Sequence, residues 1–289
     1  MGIVRLAGII ALTVTLTVLG IAPTRTAPAS ARPPVATPLS APPLFRIVGC
    51  RSDGQQHSQG PSVREVAIGF DDGPWQDTPQ FVAMLEQLHV NATFFMIGEQ
   101  ISSGYRSVLL RELHAGDVLG DHTWTHPDLV TYGHVRWELG SDQARIRELT
   151  GYTPCLFRPP YGAIDSNVVG VARSLGMATI LWDVDPVDWS TPGTSKIISR
   201  VLAQVQPGSI ILSHDGGGYR GETLAAYRTI IPALRARGYR IVTIPQLLGF
   251  RPIYHSCTGA GCDGLGIPGD QLPADAIVRG GPIAMIARR

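Results

Sequence analysis

Between residues 65 and 243 the chain repeats one pattern seven times: a short apolar run, usually rich in Val, Ile, Leu and Phe, that stops at a polar or glycine-rich turn. The runs cover residues 65–70, 92–97, 117–120, 155–158, 178–184, 209–213 and 240–243. Their length and bounding turns fit strands. Between them lie stretches with apolar residues at three- and four-residue spacing, at 78–88, 135–149, 165–175 and 223–237; the first and last of these start on a polar cap. Alternating strand and helix units imply a parallel sheet, because parallel neighbours need a crossover connection long enough to hold a helix. Seven units in one compact body imply a barrel rather than an open sheet. The expected fold is α/β, a (β/α)7 barrel forming a single catalytic domain over residues 65–250. Barrels of this kind gather their chemistry at the C-terminal ends of the strands, which is where the polar motifs of this chain fall.

Two of those motifs carry metal-site chemistry. The first run ends in Phe70-Asp71-Asp72-Gly73-Pro74, and the third is followed by His122-Thr123-Trp124-Thr125-His126-Pro127. Asp72, His122 and His126 supply one carboxylate oxygen and two imidazole nitrogens, a donor set that suits zinc or a similar divalent ion. Three protein ligands leave positions open, as a catalytic site requires. Asp71, next to this set, can take a proton from water made acidic by the cation. Taken alone, Asp-Asp-Gly-Pro is also ordinary turn chemistry, and a pair of histidines four residues apart occurs on many surfaces.

Three later segments repeat the same arrangement of strand and polar tip: Arg158-Pro159-Pro160-Tyr161, Asp185-Pro186-Val187-Asp188-Trp189, and Leu212-Ser213-His214. With these, the chain resembles the polysaccharide deacetylases, carbohydrate esterase family 4, over roughly residues 65–248. The five ordered motifs of that family all stand here in order. The resemblance implies a distorted (β/α) barrel and a role for each motif residue. Asp71 would be the general base and Arg158 its charge partner. Asp72, His122 and His126 would be the metal ligands, with zinc as the ion and cobalt or another divalent cation as a substitute. His214 would be the general acid, tuned by one of the two aspartates of the fourth motif, with Asp185 taken here over Asp188. Trp189 and Leu212 would wall the pocket for the acetyl methyl, and the backbone N–H of Tyr161 would help hold the oxyanion. The five other histidines fall outside the motifs and receive no role.

The ends of the chain speak to location. Residues 6–22 form an apolar run behind a single Arg5, followed by small residues with Ala29-Ser30-Ala31 as a cleavage point, so residues 1–31 read as a secretory signal peptide. The alternative is an uncleaved anchor, since the run is about as long as a short membrane span. Residues 32–64 read as a Pro/Ala-rich linker and N-terminal extension, and residues 251–289, rich in Gly and Pro, as an irregular C-terminal extension. An exported chain favours disulfides, and Cys50, Cys155, Cys257 and Cys262 make an even set with three possible connectivities. The short loop between Cys257 and Cys262 makes that pair the first choice. Cys50 with Cys155 would then tie the extension to the barrel.

A formal net charge of +1 gives no reason to expect nucleic acid or a strongly anionic polymer as partner. The implied partner is a glycan, met by a monomer outside the cytoplasm, with a membrane involved only if the signal segment stays uncleaved. Three readings follow. The first is an N-deacetylase of N-acetylglucosamine in a β-1,4 glycan, peptidoglycan or chitin-type. The second is an O-acetyl xylan esterase of the same family, and the third a catalytically silent glycan-binding protein.

Overall fold

The computed structural model describes residues 43–279, Asp275 excepted. The expected signal segment, most of the Pro/Ala-rich linker and the last ten residues lie outside the described residues. In chain order the strands are β1 (Leu44–Arg51), β2 (Gln56–His57), β3 (Glu65–Gly73), β4 (Thr93–Met96), β5 (Val118–Asp121), β6 (Leu156–Phe157), β7 (Ala178–Ile180), β8 (Ile210–His214), β9 (Arg240–Val242), β10 (Arg251–Cys257), β11 (Ile267–Pro268) and β12 (Ile277–Arg279). The helices are α1 (Thr78–Leu88), α2 (Arg106–Ala115), α3 (Leu129–Tyr132), α4 (Val135–Thr150), α5 (Ser166–Ser174), α6 (Thr194–Gln204), α7 (Gly221–Ala236) and α8 (Ile244–Leu247).

All seven expected strands are present, as β3 to β9. They belong to one parallel sheet ordered β2-β7-β6-β5-β4-β3-β8, with β9 also on β3. The fold is α/β, a distorted barrel of parallel strands. The distortion lies between β7 and β8. The run expected over 178–184 leaves the ladder after Ile180, and the sheet closes only through a bridge from Val184 to Ile211. Asp183 explains the break: its carboxylate accepts from Ile210 N and Ser209 Oγ, both at 2.8 Å, taking the place of a strand contact.

Period-2 alternation on β3 sorts its side chains. Val66, Ile68 and Phe70 are fully buried in the layer beneath the helices, where Phe70 meets Phe81 and Tyr227 at centroid distances of 5.1 Å. Ala67 belongs to the barrel interior with Phe95, Ile180 and Ile210, so Gly69 and Asp71 follow it inward. The outer layer is completed by stripes such as Thr223, Ala226, Tyr227, Ile230, Ile231 and Leu234 of α7. The helix α6 was not singled out by spacing, because it buries only Ile197 and Val201.

The extensions depart from expectation. Instead of an irregular tail, residues 251–257 form β10, which pairs antiparallel with β1 from the N-terminal extension; β11 and β12 complete a separate four-stranded sheet. Neither strand is legible alone, since each gains its ladder from a partner about two hundred residues away. The disulfides are Cys50–Cys155 and Cys257–Cys262, the two pairs expected. The first fixes β1 to the start of β6, at the end of the barrel away from the motifs.

One helix residue makes a stability prediction. Glu112 on α2 is fully buried and neither carboxyl oxygen has a hydrogen-bond partner. Burial first, then the charges of Asp215 and Asp117, raise its pKa well above the usual carboxylate value. A raised folded-state pKa means that stability is complete below the unfolded value of about 4.3 and declines as pH rises through the folded value. Glu112→Gln removes that dependence. Its advantage in unfolding free energy over the wild type, read from denaturant melts, should be near zero at pH 4 and widen with pH, by up to about 1.4 kcal/mol per unit. A gap that stays constant between pH 4 and 9 contradicts this account.

Candidate metal centre

Four strand ends build the site. Asp71 and Asp72 close β3, and His122 follows β5. Arg158 follows β6, while His214 is the last residue of β8. In the parallel pairing of β3 with β8, Asp71 lies directly opposite His214. Leu212, two residues earlier on β8, shares the face of His214 and is buried.

Asp72 stands in a left-handed backbone conformation, φ 69°. Its Oδ1 lies 3.5 Å from His122 Nε2 and 3.2 Å from His126 Nε2, and the three donor atoms fall within 4.8 Å of one another. The Nδ1–H of His122 donates to the Arg158 carbonyl at 2.6 Å, which turns Nε2 toward Asp72. In the neutral ring that atom is a lone pair facing a carboxylate oxygen, and Asp72 Oδ1 is buried with no hydrogen-bond partner. Converging lone pairs without a proton between them call for a cation, so the donor set fits a divalent metal on its own chemistry. Burial by itself would raise the Asp72 pKa, but the imidazoles of His122 and His126 outweigh it and hold the carboxyl well below the usual range.

The ligand loop is braced from below. Asp142 Oδ2 accepts from His122 N at 3.0 Å, Asp121 Oδ1 from Thr123 N at 3.0 Å, and Glu138 from both Thr125 N and Oγ1 at 2.8 and 2.7 Å. Asp121 and Asp142 are fully buried, and burial raises both; the charge of Glu138 adds to the rise at Asp121, and those of Asp121 and Glu138 add to it at Asp142. Reading the histidine motif by itself missed these three carboxylates. The signal was present as polar residues on the inner face of α4 and at the end of β5.

Asp71 is buried and takes a hydrogen bond from Arg158 at 2.8 Å. The guanidinium is completely enclosed, 4.2 Å above the Phe95 ring. Gly69 makes this possible, since a Cβ there would collide with the guanidinium. On the other flank, Gly216 fulfils the same requirement: a Cβ would collide with the Asp72 carbonyl, so only glycine lets the loop after β8 pass this close.

The partner of His214 is Asp188, not Asp185. Asp188 Oδ1 lies 2.8 Å from His214 Nδ1, and its Oδ2 accepts from His214 N at 2.9 Å and Thr223 Oγ1 at 3.0 Å. Asp185 instead accepts from Val187 N at 2.7 Å, a local turn that lifts Val187 to φ 55° and aims Asp188 inward. Burial alone would lower the His214 pKa, but Asp188, with Asp71 and Asp72, carries it up to about 9. His214 is therefore a cation through neutral pH. Asp188→Asn removes the main group that raises it, so the alkaline limb of the kcat/KM profile should move down by about one unit or more. An unmoved limb argues that His214 is not the group titrating there.

Tyr161 also sits in the left-handed region, φ 60°, with its ring edge-on to His126 at 4.9 Å. Both Tyr161 and Trp189 are exposed at the mouth of the barrel. The structure thus brings Asp71, Asp72, His122, His126, Arg158 and His214 together and places Tyr161 beside them. Only Asp185 stands apart.

The arrangement matches known proteins. A family model described as polysaccharide deacetylase matches residues 58–180. The peptidoglycan-N-acetylglucosamine deacetylase of Bacillus cereus is 37% identical over 187 residues, 63% of this chain and 68% of that protein. The chitooligosaccharide deacetylase of Sinorhizobium fredii is 38% identical over 202 residues, 65% of this chain and 93% of that protein. Among solved structures, a family pseudoenzyme from Bacillus anthracis superposes with a TM-score of 0.63 at 28% identity, covering 68% of this chain and 70% of its own.

Proposed function

Because the chain belongs to the polysaccharide deacetylase family, we propose that it is a secreted, zinc-dependent N-deacetylase acting on N-acetylglucosamine residues of a β-1,4 glycan, peptidoglycan or chitin-type. The single observation that carries this reading is the convergence of Asp72, His122 and His126, with the Asp71–Arg158 pair on one side and the His214–Asp188 pair on the other. A complete set of this kind favours chemistry over the silent, glycan-binding reading.

Each residue has a task. Asp72, His122 and His126 would hold the cation, which when bound supplies Lewis acidity to the acetyl carbonyl and to water. Asp71, kept oriented by Arg158, takes the proton from the attacking water. The oxyanion that forms is met by the Tyr161 N–H, and Trp189 and Leu212 flank the acetyl methyl. His214, protonated and backed by Asp188, gives its proton to the departing nitrogen. Acetate and a free amine result. Two disulfides support an oxidising, extracytoplasmic location, and among the described residues no helix is long and apolar enough to cross a membrane.

The test is acetate release from N-acetylglucosamine oligomers, purified peptidoglycan and acetylated xylan, each with a chelator control. Chelator-sensitive release from an N-acetylated glycan is expected and chooses the polymer. Release from xylan alone would move the assignment to an O-acetyl esterase.

A further inference from the structure

The start of α7 holds a buried cation that the reaction steps leave without a task. Arg220 is 4% exposed, and among the described residues no carboxylate lies within ion-pair distance of its guanidinium. It donates instead to three backbone carbonyls, from Nε to Gly216 at 2.6 Å, from Nη1 to Trp189 at 3.3 Å and from Nη2 to Gly217 at 3.3 Å. A cation taken out of water and met only by neutral acceptors is costly, so filling space does not account for it.

The contacts of Arg220 join three loops around the metal centre. Gly216 and Gly217 follow β8, Trp189 lies between β7 and α6, and Asp77, after β3, accepts from Arg220 N at 2.8 Å. A Cβ added to Gly217 would stand 2.5 Å from Asp72 Oδ2 and 3.2 Å from Arg220 Nη2, so the metal ligand and the guanidinium border the same glycine. Trp189 in turn follows Asp188, the residue that holds His214 at 2.8 Å.

The turn that carries Asp188 and Trp189 needs to be held. Val187 and Thr191 bracket it in left-handed backbone, φ 55° and 48°. Both are β-branched, and such residues keep that conformation only where their surroundings impose it. The first turn of α7 supplies the restraint. Besides the bond from Arg220 to Trp189, Glu222 Oε2 accepts from Gly193 N at 2.8 Å, and Thr223 Oγ1 donates to Asp188 at 3.0 Å.

We propose that Arg220 and Glu222 are positioning residues that hold this turn against its backbone strain, and so fix the Trp189 wall at a width that admits an acetyl group and turns away longer acyl chains. The proposal rests on the N-deacetylase reading, in which Trp189 and Leu212 flank the acetyl methyl. Leu212 is set by the ladder of β8, whereas Trp189, 55% exposed, depends on its loop. One methylene in an apolar pocket is worth roughly 10–200-fold in discrimination, and only if the walls do not yield.

The experiment compares N-acetyl and N-propionyl glucosamine pentamers as substrates of the wild type, Arg220→Met and Glu222→Ala, and follows amide exchange by mass spectrometry. The wild type should favour the acetyl substrate by about tenfold or more in kcat/KM. Arg220→Met should cut that ratio about tenfold, chiefly because kcat on the acetyl substrate falls while the propionyl substrate is little affected. Its amide exchange should quicken across residues 188–193 and stay at the wild-type rate in β4. Glu222→Ala frees only Gly193 N; it should cut the ratio about threefold, and it decides the matter if Arg220→Met does not fold. A wild type indifferent to acyl length, variants that lose equally on both substrates, or exchange at 188–193 no faster than in the wild type overturns the proposal and leaves the deacetylase reading standing. A wild type that releases neither acyl group overturns the deacetylase reading, and the selectivity claim with it.

Discussion

Asp71→Asn is expected to lower acetate release by about three orders of magnitude or more while metal binding persists. Asparagine keeps the shape of the side chain but cannot take a proton from water. It also leaves the wholly buried Arg158 without its counter-charge, and a buried cation stripped of its partner costs about 3–5 kcal/mol of stability. Two readouts should therefore fall together, turnover and Tm, with metal stoichiometry unchanged because Asp71 is not among the three converging ligands. A variant that retains wild-type turnover would remove Asp71 from the base role whatever its stability. A variant that loses metal instead would show that Asp71 belongs to the ligand set.

His214→Ala is the second large effect, and its signature is selectivity. An amide nitrogen leaves poorly without a proton, whereas the phenolate of an aryl acetate leaves unaided. The variant should lose about a thousandfold on an N-acetylglucosamine oligomer and roughly tenfold or less on the aryl ester. The geometry behind this is the ion pair with Asp188, which keeps the imidazole charged at the pH where the reaction runs. Equal losses on both substrates would assign His214 to positioning rather than proton donation.

Much of this was legible in the sequence, for physical reasons that also explain the failures. The strands were found because each is a short apolar run stopped by a turn, and the motif residues because each follows such a stop. Spacing does not separate Asp185 from Asp188, since both precede the same tryptophan in a stretch of four residues; only the left-handed turn at Val187 decides that Asp188, not the expected Asp185, faces His214. Gly69 reads as an ordinary weak point in a strand until the Arg158 guanidinium is seen against it. The sheet made by β1 and β10 was invisible because its pairing joins the two ends of the chain. Asp142 and Glu138 were passed over for a similar reason, since a helical carboxylate signals a brace only once the loop it holds is in view.

The most direct test of the central claim is acetate release from an N-acetylglucosamine hexamer by protein stripped with chelator and then titrated with zinc. Activity should vanish on stripping and return fully at one equivalent, while His122→Ala protein, with one of the three converging donors gone, should recover nothing at that stoichiometry. Full activity in protein shown by elemental analysis to hold no metal, or equal recovery by His122→Ala, would contradict that claim.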